Sequence, residues 1–137
     1  MTIAIRYFTK SKKGNTEKLA TQIANATGVK ALTVSTDLSE KTDRLFLVNA
    51  MYAANIDSEV KEFLARNKDK IGEVVNFNTS CSGKSTWNMV RKVCDELGIP
   101  ISEKEFHCAA SWIFLNKGLP SEADYDKARQ FAASMVK

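Results

Sequence analysis

The hydrophobic period of this chain switches back and forth along its length, and no other feature narrows the choice of folds as much. Short apolar runs with β-branched residues alternate with stripes spaced for one face of a helix. Residues 3–8 (IAIRYF) read as a buried strand. Leu19, Ala20, Ile23 and Ala24 then recur at helical spacing and stop at Gly28, a natural C-terminal cap. Residues 31–35 form a second strand. The stretch 36–43 leaves room for a helix of one or two turns at most before a third strand at 45–48. Val60, Phe63 and Leu64 line the next helix, and Gly72 opens a fourth strand at 74–77. Val90, Val93, Cys94 and Leu97 share a helix face that ends at Gly98, with Pro100 just beyond. Residues 106–109 are a fifth strand. A last helix starts after Pro120, where Ser121 and Asp124 are spaced as a capping-box pair, and runs through Tyr125, Ala128, Phe131, Ala132 and Met135.

The order β-α-β-(α)-β-α-β-α-β-α, with strands apolar enough to be covered on both sides, implies a doubly wound parallel sheet with right-handed crossovers. The 137 residues amount to a single α/β domain, 1–137, without repeats or linkers. Open sheets of this class bind ligands beyond the carboxyl ends of their strands, where the strand order reverses. That directs attention to the segments 9–16, 49–56 and 78–86.

Charge and cysteine usage exclude several classes. The net charge is +4, and residues 1–18 hold Arg6, Lys10, Lys12, Lys13 and Lys18 against Glu17 alone. The remaining chain balances fifteen basic against fifteen acidic groups. One local cluster differs from the basic face with interleaved aromatics that coats nucleic acid, so no nucleic-acid partner is expected. Cys81, Cys94 and Cys108 are odd in number and form no C-x-x-C pair, which points to a reducing, cytoplasmic compartment. No signal peptide opens the chain, and no apolar stretch approaches the roughly 20 residues of a membrane span.

The first loop, Thr9, Lys10, Ser11, Lys12, Lys13, Gly14, Asn15 and Thr16, runs from a strand straight into a helix. Hydroxyls, a glycine and unpaired amides at a helix N-terminus form an anion site. An isolated turn of this kind reads more simply as a cap with solvated lysines, but its place in the first βα turn favours a phosphate. The second loop, Asn49, Ala50, Met51, Tyr52, Ala53, Ala54 and Asn55, sets an aromatic and a polarizable thioether among small residues. That composition suits a flat ring system as well as a plug at the sheet edge. The third loop carries Thr79, Ser80, Cys81, Ser82 and Gly83. Gly83-Lys84-Ser85 imitates the end of a phosphate-binding P-loop, but the required first glycine falls at Asn78. Cys81 starts no Cys-x5-Arg phosphatase signature, because position 87 is Trp. His107, the lone histidine, has no triad or metal-ligand spacing around it. Trp87 falls in phase with Val90 and reads as packing, and Trp112 follows the last strand.

Tyr7-Phe8-Thr9 with Ser11-x-x-Gly14-Asn15-Thr16-Glu17-x-x-Ala20 resembles the phosphate loop of the flavodoxins, a hydroxyl-rich turn that usually ends Thr-Gly-Asn-Thr. Residues 45–52 (LFLVNAMY), followed by 60–64, are similar to their third strand, flavin-stacking loop and third helix. Residues 106–108, Lys117-Gly118-Leu119-Pro120 and the 124–132 helix resemble their C-terminal segment. The resemblance implies a five-stranded parallel sheet in the order 2-1-3-4-5 and non-covalent FMN at the switch point, a placement known for this fold. It also implies one-electron transfer to a redox partner protein by a monomer. The phosphate would lie in 9–16 and the ring between 49–56 and 78–83.

Three departures modify that expectation. Flavodoxins are usually acidic, so a neutral body with a basic loop implies a less negative couple for the fully reduced flavin. The flavin loop has no glycine, so a redox-linked peptide flip would fall on an alanine or on Asn55. Lys12-Lys13 stands where the family tends to have Thr or Ser. The alternative reading is a flavodoxin-fold interaction protein, resembling the activators of ribonucleotide reductase or flavin-free, in which basic residues guide an acidic partner. A flavin-dependent quinone reductase ranks third.

Overall fold

A computed structural model describes residues 1–10, 14–111 and 116–137. Five strands, β1 (Ile3–Tyr7), β2 (Ala31–Thr33), β3 (Arg44–Ala50), β4 (Val74–Ser80) and β5 (Phe106–Ala109), pair in parallel in the order β2-β1-β3-β4-β5. Helices α1 (Asn15–Thr27), α2 (Ser58–Asn67), α3 (Trp87–Leu97) and α4 (Glu122–Ser134) connect and flank them, with a short 3-10 turn at Lys68–Lys70 after α2. The strand order matches the expectation from the sequence. No helix among the described residues is long and apolar enough to cross a membrane.

Alternation along β3 and β4 divides the core into two layers. Leu45, Leu47 and Val74 pack against Val60, Phe63 and Leu64 of α2 and Val90 and Cys94 of α3. Phe46, Val48, Val75 and Phe77 face the other way, onto Leu19, Ala20 and Ile23 of α1 and Ala128 and Ala132 of α4. Phe77 anchors this second layer, with ring centroids 5.2 Å from Phe46, 5.4 Å from Phe131 and 6.5 Å from Phe106. Gly28 and Gly98 end α1 and α3 at φ of 72° and 74°, a left-handed conformation that glycine adopts at least cost. At α4, Ser121 and Asp124 form the reciprocal capping box that their spacing suggests.

The crossover between β2 and β3 contains no helix, in contrast to the short one for which the sequence leaves room. Residues 34–43 instead form turns whose backbone groups are satisfied partly by neighbouring backbone, as where Val34 donates to the Tyr7 carbonyl and Thr42 to that of Lys70, and partly by side chains from outside the segment. The Arg6 guanidinium donates to the carbonyls of Thr36 at 2.8 Å and Asp37 at 3.3 Å. Arg66 donates to the Val34 carbonyl at 3.0 Å, and Lys70 to that of Leu38 at 2.9 Å. Asn67 accepts the Leu38 amide at 2.9 Å while its own amide holds the Phe63 carbonyl at 2.9 Å. Val34 and Leu38 are thereby pinned into the layer a helix would have covered. Burial lowers the pKa of Arg6, an effect that nearby Asp37 opposes.

Strand β4 runs three residues beyond the apolar stretch 74–77, to Ser80. The polar side chains of Asn76, Asn78, Thr79 and Ser80 are all buried, and the patterning that locates apolar strands passes over such a segment.

The β2–β3 crossover is thus held by side chains rather than by helical hydrogen bonds, and Asn67 is its central staple. Asn67→Ala strands the buried Leu38 amide and is expected to lower the unfolding free energy by about 2 kcal/mol. Urea denaturation checks this as a lower midpoint at unchanged slope.

Candidate functional site

Because all five strands are parallel, their carboxyl ends share one side of the molecule, and a cleft of about 510 Å³ opens there. Its size falls in the range of roughly 300–1,000 Å³ typical of small-molecule sites. Thr9, Lys10, Gly14, Asn15 and Thr16 contribute from the β1–α1 connection, and Ala50, Met51, Tyr52 and Ala53 from the end of β3. Thr79, Ser80 and Cys81 come from the end of β4. On the floor, the hydroxyls of Thr16 and Thr79 lie 3.0 Å apart and buried, joining α1 to β4.

The N-cap of α1 is Gly14, whose backbone is extended and which has no side chain to cap the helix. By contrast, Asp57 caps α2 and Ser121 caps α4 through their side chains. The first amides of α1, like those of α3 and unlike those of α2 and α4, have no side-chain acceptor from their N-cap residue, and the positive end of the α1 dipole borders the cleft. Hydroxyls of Thr16 and Ser80 and the Asn15 amide stand close by. No carboxylate lines the cleft among the described residues. The donor set fits an anionic group such as a phosphate ester.

The opposite wall is set by a tight turn. Tyr52 and Asn55 exchange backbone hydrogen bonds at 2.7 and 2.9 Å across Ala53 and Ala54. Those alanines have φ of 48° and 61°, the pattern of a type I′ turn usually filled by Asn and Gly. Each alanine held there costs roughly 1–2 kcal/mol, so the turn stores strain at the mouth of the cleft. Tyr52 is half-buried. Its hydroxyl accepts the Lys10 amide at 3.2 Å, its ring meets the Phe8 edge at a centroid distance of 6.3 Å, and the Lys10 ammonium lies 4.5 Å from its centroid.

Solved structures with the same architecture are numerous. A flavodoxin from the domain Archaea superposes with a TM-score of 0.73 at 12% identity, covering 99% of this chain and 96% of that one. Flavodoxin 1 from Bacillus cereus superposes at 0.70 and 19% identity, covering 98% and 95%. A short-chain flavodoxin associated with a bacterial microcompartment does so at 0.72 and 18%, covering 99% and 97%. The fold is that of the flavodoxins. No family model matches the chain, and no curated protein matches it by sequence.

Within this flavodoxin-like fold several residues proposed from the sequence stand apart from the cleft. Asn49 points to the α2–α3 side, fully buried, where its amide donates to Asn76 at 2.8 Å and its carbonyl accepts the Thr86 hydroxyl at 2.7 Å. Those bonds occupy it. Asn55 closes the strained turn on its exposed side, and the positive φ values fall on Ala53 and Ala54 rather than on it. Ser82 and Gly83 turn away after Cys81, with the Ser82 hydroxyl accepting the Lys84 amide at 3.3 Å. Ser11, Lys12, Lys13 and Trp112 lie outside the described residues. Ala110 and Ser111 line the cleft although sequence reading passed over them. The order 2-1-3-4-5 places the end of β5 beside that of β4, so topology could have found them. Asn15 donates to both the carbonyl and the hydroxyl of Ser111 at 3.2 Å.

The remaining singular residues are structural. His107 Nδ1 lies 2.9 Å from the Gly83 carbonyl. The Trp87 indole donates to the Ser102 carbonyl at 2.8 Å, and Arg91 lies over its ring at 5.4 Å, away from the cleft. Among the described residues no cluster of His, Cys, Asp or Glu is arranged to hold a metal ion. Burial, with Asp95 adding to it, pushes the Cys94 thiol up to about 12, and burial with Asp124 does the same for Cys108. Cys81 is exposed.

Two outcomes follow from this chemistry. Ala53→Gly and Ala54→Gly relieve positive-φ strain and are each expected to raise stability by about 1 kcal/mol, read as a higher urea midpoint. The thiols give a pH window. Unfolded cysteines ionise near their ordinary value of 9.0, whereas folded Cys94 and Cys108 ionise at about 12. Their contribution to stability is therefore intact below about 9 and lost as the pH rises towards about 12. Iodoacetamide at roughly pH 8 should accordingly label only Cys81 in the native protein, as peptide mass mapping would show.

Proposed function

We propose that this protein binds FMN non-covalently in the cleft and carries electrons between partner proteins. The observation that supports this most directly is the pairing of an α1 N-terminus without a side-chain cap with an aromatic wall across one cleft, at the point where the strand order reverses. The residues present fit the cofactor. The amides opening α1, with Thr16, would hold the phosphate, and among the described residues no carboxylate lines the cleft to oppose it. Met51 and Tyr52 on one side, with Ser80 and Cys81 on the other, would bracket the ring. When bound, the flavin supplies the redox chemistry. The chain's own part is to bind it, orient it and set the electrostatics around it.

Purified protein titrated with FMN should quench flavin fluorescence with saturation, and the complex should be yellow. Gly14→Asp separates the phosphate end from the fold. Its φ of −75° suits any residue, and an aspartate cap adds a few tenths of a kcal/mol to helix stability. The same carboxylate occupies the anion site. FMN affinity is expected to fall by at least roughly tenfold, about 1.4 kcal/mol, at an unchanged or slightly raised melting temperature, while riboflavin binding stays as it was. Absence of flavin binding by the wild-type protein would refute the reading.

A further inference from the structure

Among the described residues, Lys10 is the only charged one that lines the cleft. Its position is defined by three contacts to the facing segment. The backbone amide donates to the Tyr52 hydroxyl at 3.2 Å, the ammonium sits 4.5 Å from the Tyr52 ring centroid, and it lies 3.7 Å from the Asp57 carboxylate. Asp57 is committed elsewhere, since it caps α2 by accepting the Glu59 amide at 3.0 Å. It does not line the cleft. The cation therefore borders the cleft wall beside Tyr52, while its counter-charge, 3.7 Å away, does not line the cleft.

We infer that Lys10 selects the charge of the bound ring, making the cleft hold an anionic flavin more tightly than a neutral one. The inference rests on the FMN reading and assigns a consequence to one side chain. Oxidised isoalloxazine is neutral, whereas the two-electron-reduced ring ionises at N1 near neutrality. A nearby ammonium acts only on the second. At the α1 end the phosphate carries the same charge in both states, so its contribution cancels when the two states are compared. Binding and reduction are linked, so tighter binding of the reduced ring raises the two-electron potential by the equivalent amount. Half-exposed, with side-chain accessibility of 56%, Lys10 acts through a partly screened field.

The test compares anaerobic dissociation constants of oxidised and dithionite-reduced FMN for the wild type and Lys10→Gln, with riboflavin as the phosphate-free control. Loss of the cation should weaken reduced FMN by about fivefold relative to oxidised FMN. The potential should become more negative by about 20 mV, at 29.6 mV per tenfold for a two-electron couple. Riboflavin should show the same relative loss. Asp57→Asn keeps an acceptor for the α2 cap but removes the counter-charge, and should shift the preference the opposite way. The wild-type preference should shrink in about 1 M salt, where screening acts over roughly 3 Å. Equal weakening of both FMN states with riboflavin unaffected would make Lys10 a phosphate ligand and overturn the inference. So would an unchanged ratio in both variants. Failure of wild-type protein to bind any flavin removes the FMN reading itself and this inference with it.

Discussion

A polar network buried beneath the N-terminus of α3 holds the working end of this molecule together. β3 and β4 are covered on both faces, yet β4 continues into Asn76 and Asn78 and β3 into Asn49, all fully buried. Burying an amide side chain without partners costs kilocalories. Here each has its partners. Thr86 joins the three asparagines through hydroxyl and amide bonds, and Asn78 and Ser80 both donate to the Lys84 carbonyl at 3.0 and 2.8 Å. Among the described residues no buried side-chain polar atom lacks a partner. The consequence reaches the cleft, because the 81–86 loop is bound to the strands at several points rather than resting on them. Ser80 and Cys81 take their place on the wall from that attachment, and Asn116 reinforces it by donating to the Cys81 carbonyl at 2.6 Å.

The same network shows what can be read from the amino-acid sequence. Strand and helix positions and both glycine caps follow from hydrophobic period and punctuation, because those features act locally, whereas the strand order is implied only by the resemblance to the flavodoxins. The Thr9–Thr16 loop and the Met51–Tyr52 segment are legible for the same reason, since a βα turn in a parallel sheet has only one end at which to lie. In sequence Asn49 reads as part of the second loop, because a polar residue after an apolar strand looks like the start of one. Only its pairing with Asn76 and Thr86, distant in sequence, makes it a residue of the interior. Ala110 and Ser111 carry no compositional signal, and their place follows from register with β4 alone. The missing helix at 36–43 has a similar cause. Arg6 counts in sequence only as one of the basic residues of 1–18, but it spends its donors on carbonyls of that crossover.

Strain and incomplete capping fall on the same cleft, and both have the sense expected of a binding site. Two alanines in left-handed conformation and a helix start without a side-chain cap each forgo stability that an Asn-Gly turn or an aspartate would recover. Elsewhere the chain uses such devices, in the Asp57 cap, the Ser121–Asp124 box and the glycine ends of α1 and α3. A helix terminus without a side-chain cap from its N-cap residue can accept an anion, and stabilised proteins commonly lose function where such sites are filled.

Charge follows the same division between interior and site. The basic excess in residues 1–18 looks in sequence like one patch, but the fold separates it. Arg6 is buried against backbone carbonyls, Lys18 faces solvent on α1, and Lys10 alone among the described residues reaches the cleft. At the cleft, therefore, the net +4 of the chain is represented among the described residues by one ammonium, 4.5 Å from the Tyr52 ring centroid and 3.7 Å from the Asp57 carboxylate. A distant surface charge is screened within about 8–10 Å at physiological salt. A charge on the wall of a partly desolvated cleft acts on its occupant at close range, and there one residue can outweigh the overall balance.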